Sequence, residues 1–288
     1  MDHSELMDIN CGAVGYSGGP GGQSTGDWMH VNAIDYNPYL DQIAFSSRYQ
    51  NEIYIIDHST TTEEAASHSG GNSGKGGDFL YRWGNSENYD RGNNSNRILE
   101  WQHGVNWIEP GYPGEGNLLI YNNKHSLNSS AVIEISPPIN ENGNYFIDDL
   151  EPYGPSSLDW MYQDNYFSDI QSGAFRLPNG NTIITVANDR ISSRPLIFEV
   201  NYEGEIILEY QLAESDTMIP RSDKYGYDFF GSNQIFGDIN SDQFVNVVDI
   251  ICIVNIILSN NSYIETSDLN NDGFVNIADV VFLVGLIL

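Results

Sequence analysis

Residues 238–258, DINSDQFVNVVDIICIVNIIL, and residues 268–288, DLNNDGFVNIADVVFLVGLIL, are copies of one another. Each copy opens with oxygen-bearing side chains at alternating positions and continues as an apolar run. Calcium takes about six to eight oxygen ligands, and a tight loop presents them at positions 1, 3, 5, 7, 9 and 12. In the first loop these are Asp238, Asn240, Asp242, the Phe244 carbonyl, Asn246 (often through water) and Asp249. In the second they are Asp268, Asn270, Asp272, the Phe274 carbonyl, Asn276 and Asp279. The carboxylates of each loop more than balance one divalent ion, so two calcium ions are expected. Loop position 6 makes a sharp turn that glycine suits. Gly273 supplies it and Gln243 does not, which makes the first site the looser one. An Asp/Asn-rich surface turn duplicated by chance would not agree at every ligand position.

Helices are predicted over Ile250–Leu258 and Val280–Leu288, apolar nearly all round. Such helices bury against each other, against the rest of the chain or against a partner. Charge points the same way as the loops. Lys and Arg total 11 against 40 Asp and Glu, a formal net charge of −29. Nucleic acid and anionic lipid need basic surfaces and are excluded as partners. Calcium, salt tolerance and plain solubility all suit an acidic surface. Cys11 and Cys252 fall in different predicted domains, so no framework disulfide is expected. No apolar run reaches the roughly 18 residues of a membrane span. No leader pattern follows Met1, and the Gly-rich opening from Gly12 to Gly26 starts abruptly. Further sequence with a signal peptide is expected upstream.

The amino-terminal body reads as β-structure, with short β-rich runs between Gly, Asn, Pro and Asp clusters. A unit of four strands recurs. MHVNAIDYN, QIAFSSR, EIYIIDH and DFLYRWG form the first, from His30 to about Gly84. QHGVNWIE, NLLIYNN, AVIEIS and LDWMYQD form the second, from Gln102. QSGAFRLP, NTIITVAN, LIFEVN and EIILEYQL form the third, from near Gln171. Repeated four-stranded antiparallel units are the pattern of a β-propeller. Closed propellers have about four to eight blades, so three make a partial one. The expected fold is mainly β: a partial propeller at 1–215, a linker at 216–236 and a small α-helical paired calcium-loop module at 237–288. The insertion from Ser59 to Gly77 reads either as a flexible linker or as a loop over one face. Its SGGNSGKGGD stretch lacks the spacing of a phosphate-binding P-loop, and no helix follows.

In a propeller the first strand of each blade lines the central channel. His30 and His103 open the first strands of units one and two, one repeat apart. Arg48 ends the second strand of unit one, and Lys124 with His125 ends that of unit two. Histidines and cations converging on a channel suit an anionic substrate such as a sulfate or phosphate ester. Histidine can serve there as nucleophile or general acid. His58 reads as a solvated turn residue, His68 as part of the Gly/Ser-rich loop and His3 as part of a frayed end. No paired carboxylates suggest glycosidase chemistry.

DWMHVNAIDYN with SSRYQNEIYIID, followed by QHGVNWIEPGYPGEGNLLIYNN, resembles the bacterial arylsulfotransferase family over about residues 1–212. That resemblance implies the carboxy-terminal part of a six-bladed propeller. It implies transfer of a sulfuryl group from a phenolic sulfate ester to another phenol, with no nucleotide sulfate donor and with a transiently sulfated histidine. His30 and His103 match two of the family's channel histidines, and Lys124 stands roughly where the family has an arginine. Lysine lacks that arginine's bidentate fork. The family's nucleophile would fall near 185–190, where this chain reads TVANDR without a histidine. His125 is the remaining candidate for that part. An anion-binding propeller without turnover is the alternative reading. Residues 237–288 resemble a type I dockerin, since both loops end in Asp rather than the Glu of an EF-hand. The resemblance implies an extracellular or periplasmic protein and a cohesin-like partner. Dockerins grip cohesins through polar pairs at loop positions 10 and 11. Here those positions hold Val247 and Val248, and Ile277 and Ala278, so a private partner and an intramolecular cap both stay open.

Overall fold

The structure, a computed structural model, describes residues 3–7, 29–148, 150–211, 217–225, 235–240, 242, 244–259, 267–270 and 272–287. The Gly-rich opening, Cys11 and Gln243 lie outside the described residues. The chain divides into two compact units, 1–224 and 225–288.

The first unit holds three four-stranded antiparallel sheets, each strand paired with the next in sequence. They are β1 (Val31–Asn37), β2 (Gln42–Ser47), β3 (Glu52–Asp57) and β4 (Tyr81–Trp83); then β5 (His103–Trp107), β6 (Leu118–Ser126), β7 (Ser129–Ile135) and β8 (Trp160–Tyr162); then β9 (Gly173–Arg176), β10 (Thr182–Asp189), β11 (Arg194–Val200) and β12 (Ile206–Gln211). β1 lies beside β5, and β5 beside β9. The sheets are consecutive blades of a partial β-propeller, as the four-strand repeat predicts.

Side-chain alternation explains the stacking. Along β6, Leu118 and Ile120 join a core with Ile53, Ile55, Tyr81 and Trp83 of the first blade. Leu119 and Tyr121, the alternate residues, join a second core with Ile184, Val186 and Phe198 of the third. Strand side chains point to opposite faces in turn, so a strand apolar at every position fits only between two layers. β5 is buried along its whole length for the same reason. Polar ties repeat between blades. Asn32 Nδ2 on β1 donates to the Gln102 carbonyl at 2.8 Å, and Asn106 Nδ2 on β5 donates to the Ala174 carbonyl at 2.9 Å.

Buried carboxylates repeat as well. Asn117 donates to Glu134 on β7, whose other oxygen takes Arg176 from the next blade. Asn181 donates to Glu199 on β11, whose other oxygen takes Lys224 Nζ at 2.6 Å. The span 216–236, expected as linker, is therefore in part body. Residues 217–224 bond along the third blade, with Ile219 N donating to Ala187 O and Ser172 N donating to Pro220 O. The 59–77 insertion is likewise a built loop. It carries α1 (Thr62–Ala65) behind a Thr61/Glu64 capping box, and both oxygens of Asp57 hold it through Ser59 and Ser73.

In the second unit, α2 (Val247–Leu258) and α3 (Ile277–Ile287) share a core of Ile253, Leu269, Val280 and Leu283. Both begin three residues before the predicted Ile250 and Val280. Asn246 and Asn276 accept the N–H of Val248 and Ala278 at 2.8 Å, and so serve as N-caps.

In the first blade, Arg82 and Glu52 form a bidentate ion pair, 1% and 0% exposed. Removing one partner strands the other charge in a dry site, so Arg82→Ala is expected to lower stability by about 3–5 kcal/mol. In urea unfolding, Glu52→Leu combined with Arg82→Met should recover part of that loss.

Candidate functional site

Each first strand is entered through a kink. His30, Trp101 and Gln171 hold φ of 51°, 57° and 43°, in the left-handed region that bulky residues avoid. Hydrogen bonds fix the kink at Trp101: its N–H donates to Asn51 Oδ1 at 3.0 Å, and the Glu100 N–H donates to Asn122 Oδ1 at 2.9 Å.

Trp101 becomes the centre of a cationic cluster. The Arg48 guanidinium lies 4.6 Å from the centroid of its ring and Lys124 Nζ lies 3.3 Å away. Arg48 reaches it because its backbone N–H bonds the His30 carbonyl at 3.2 Å. The His30 ring packs on Tyr49, centroids 4.8 Å apart. Lys124 also approaches Glu100 at 3.9 Å. His103, 5% exposed, sits against the same residue from the other chain direction: its Nδ1 is 3.0 Å from the Trp101 carbonyl and 2.7 Å from Asn123 Oδ1. Burial, and after it the positive fields of Arg48 and His30, push the His103 ring down to about 4, against the partial support of Asn123 and the Trp101 carbonyl. His103 is thus neutral near pH 7, beside groups that can hold an anion.

Three of the five residues singled out in the sequence, Arg48, His103 and Lys124, contact Trp101, and His30 adjoins them through its carbonyl bond to Arg48. His125 does not join them. Its ring makes no hydrogen bond, ion pair or ring contact with the other four among the described residues, and its Nδ1 is buried without a partner. Burial lowers its affinity for a proton. Trp101, Asn123 and Tyr49 were missed as site residues. Trp101 directly precedes the QH pair, but its part depends on a backbone kink that spacing does not encode. Residues 185–190 are committed to structure. Thr185 bonds Ser222, Asp189 accepts the N–H of Phe167 and Ser192, and Arg190 pairs with Asp169. His58 and His68 lie on acidic partners, Asp41 and Asp78, both at 2.7 Å, away from the cluster. Two clefts of about 470 and 300 Å³ are lined by no His, Lys or Arg, so neither suits an anion.

The acidic loops repeat each other in detail. Asp242 N donates to Asp238 Oδ1 at 3.1 Å and to Asn240 Oδ1 at 3.0 Å; Asp272 N does the same to Asp268 and Asn270 at the same distances. The closing aspartates are fully buried. Asp249 Oδ1 takes the N–H of Ile239 and Asn240 and its Oδ2 that of Asn246; Asp279 is held identically by Leu269, Asn270 and Asn276. Burial works to raise the Asp249 carboxyl, but these N–H groups outweigh it and hold the group below its usual range. Among the described residues no group of three or more His, Cys, Asp or Glu side chains stands placed to hold a metal ion. The donor chemistry nevertheless fits calcium. Oxygen is the only side-chain donor at the ligand positions, and residues 225–288 contain no Lys or Arg to balance the buried carboxylates.

The depressed His103 affinity sets a pH dependence. Above its unfolded value of 6.5, neither state holds the proton and the group adds nothing. As pH falls from 6.5 toward about 4, the unfolded chain binds a proton that the folded ring refuses, and stability drops. The expected loss attributable to His103 is up to about 3 kcal/mol. It is read as the difference in unfolding free energy between the wild type and His103→Asn across that range.

Residues 2–227 match the family model described as arylsulfotransferase (ASST), and residues 236–288 match the dockerin type I domain. No curated protein matches the chain. Among solved structures, the β-propeller domain of Myceliophteria thermophila Cps50 (Swd1) aligns with 65% of this chain and 42% of its own, at 11% identity and a TM-score of 0.36. Kuenenia stuttgartiensis hydrazine synthase aligns with 64% of this chain and 51% of its own, at 8% identity and a TM-score of 0.29. The chain thus spans about half the length of either structure or less. No helix among the described residues is long and apolar enough to cross a membrane. By the match over most of its length, the chain belongs to the arylsulfotransferase family and carries a dockerin type I domain behind the family region.

Proposed function

We propose that the body transfers a sulfuryl group from a phenolic sulfate ester to a phenol, without a nucleotide sulfate donor, and that the carboxy-terminal module binds two calcium ions and a protein partner outside the cytoplasm. The observation that carries the first part is the cluster around Trp101. Arg48 and Lys124 share one indole ring, and a neutral buried histidine stands beside them. A sulfate ester bears its charge on three oxygens, which fixed cations stabilise as the S–O bond lengthens. Aromatic side chains at Trp101 and Tyr49 suit the phenyl ring of donor or acceptor. Lys124 contributes a point charge, so the bidentate grip falls to Arg48.

A second reading, an anion-binding propeller without turnover, is favoured by the stretch 185–190, which lacks a histidine and is bonded into the third blade. The chain incubated with p-nitrophenyl sulfate and phenol distinguishes the two by release of nitrophenol. Arg48→Ala is expected to slow release by about 100-fold, whereas His58→Ala, remote on Asp41, leaves it unchanged. Binding of p-nitrophenyl sulfate with no release from the wild type would establish the second reading.

For the module, calcium would be held by Asp238, Asn240, Asp242, Phe244 O, Asn246 and Asp249, and by Asp268, Asn270, Asp272, Phe274 O, Asn276 and Asp279. Dockerin domains bind cohesins, and a cohesin-like protein is the partner proposed. The positions that would face it are apolar and exposed, Val247, Val248 and Ile277 among them. Calorimetric titration should give two calcium ions per chain, and Asp242→Ala or Asp272→Ala should each leave one. Chelator is expected to reduce the helical signal of α2 and α3; a signal indifferent to chelator would refute the metal assignment.

A further inference from the structure

We propose that the smaller cleft, about 300 Å³ in volume, binds an organic ammonium ion between aromatic rings and carboxylates. Such binding goes beyond sulfuryl transfer and does not rest on it.

The cleft lies toward the far ends of β1 and β5, away from the Trp101 cluster. β5 opens at His103 and closes at Trp107, and four strand steps separate the two by about 13 Å. Two turns build the mouth. Asn37 Oδ1 accepts the N–H of Tyr39 and Leu40 at 3.0 and 3.1 Å, an Asx turn that leaves Tyr39 78% exposed. On the second blade, Gly111 N donates to Glu115 Oε2 at 2.8 Å and Gly116 N donates to the Ile108 carbonyl at 3.1 Å, which closes the 108–116 turn on itself. Tyr36, Tyr39 and Trp107 supply rings to the cleft, and Asp35, Glu109 and Glu115 supply carboxylates. No Lys, Arg or His lines it.

Charge decides the class of ligand. Among the described residues Glu109 has no side-chain hydrogen bond and no ion pair, and Glu115 has one backbone N–H. Asp35 is set deeper. Its Oδ1 takes the Tyr36 N–H at 3.0 Å and its Oδ2 the Trp107 N–H at 2.7 Å. Burial raises its carboxyl against those bonds, and the field of Arg221 is the weakest influence on it. Three acidic groups thus share one cavity whose lining holds no positive charge. An anion is repelled there, and a neutral ligand would leave the partly buried carboxylate uncompensated.

A bare metal ion does not fit either. Calcium needs about six to eight oxygens in a close shell, and no group of three or more such side chains among the described residues is placed to hold a metal. The carboxylates surround a wider space walled by rings. Tyr and Trp faces attract alkylammonium groups, whose charge is spread over carbon. The volume is at the small end of ligand pockets, which suits a compact amine. The larger cleft carries two carboxylates, Asp148 and Glu151, and borders residue 149, outside the described residues.

Calorimetric titration of the full chain, with calcium present and at physiological salt, tests this with choline and with dimethylbutanol, its uncharged isostere. One choline per chain is expected, bound at least about tenfold more tightly than dimethylbutanol. Tyr39→Ala and Glu109→Gln alter exposed side chains and are checked for folding by thermal unfolding. Each should weaken choline by about 3- to 30-fold, while Asp148→Asn in the larger cleft leaves it unchanged. Equal affinity for the two probes, or no choline binding by the folded chain, would overturn the ammonium assignment. Choline binding untouched by Tyr39→Ala and Glu109→Gln, or lost in Asp148→Asn, would overturn the choice of cleft.

Discussion

The burial of the second blade on both faces is the constraint from which the rest of the body follows. β6 and β7 send alternate side chains into two separate cores, one shared with each neighbouring blade. Both cores draw side chains from the middle sheet, so each neighbouring blade packs against it. Stacking in turn sets β5 between β1 and β9, and places the entrances of the first strands together. The inter-blade amide ties from Asn32 and Asn106 keep those strands in register where apolar packing, which has no direction, would not.

The chemistry of the cluster derives from that placement. Trp101 holds a left-handed backbone conformation that costs about 1–3 kcal/mol, and Asn51, from the first blade, receives its N–H. The kink turns the Trp101 carbonyl toward His103 and its ring toward Arg48 and Lys124. One strained residue therefore connects a neutral imidazole to two cations. Asn123 completes the arrangement from β6, itself locked by carbonyls of the segment leading into the third blade. Three blades contribute to the setting of a single ring nitrogen.

The second unit follows a different logic, local rather than stacked. Each loop folds on its own aspartates, and one asparagine serves both as a ligand position and as the cap of the following helix. The two helices bury one face against each other around Ile253 and Leu283. Val247, Ile251, Ile277 and Val281 stay exposed. Helices apolar all round are thus only half satisfied by pairing, which keeps a protein partner in view.

Much of this was legible in the residues. The duplicated loops announced both ligand positions and helices, because ligand spacing and capping are local along the chain. The four-strand repeat announced the blades, because alternation and turns are local too. His30, Arg48, His103 and Lys124 were selected by repeat position, and the stack brings Arg48, His103 and Lys124 to Trp101, with His30 beside Arg48. What only the tertiary structure decided concerns partners far apart in sequence. It bound residues 217–224 to the third blade, left His125 outside the cluster and put Trp101 at its centre. It also set His103 Nδ1 between Asn123 Oδ1 and the Trp101 carbonyl. That last choice depends on Asn123, which depends on the carbonyls of Ser168 and Gln171. A hydrogen-bond chain spanning roughly seventy positions leaves no periodic trace in a sequence, since each link is set by folded distance rather than by spacing.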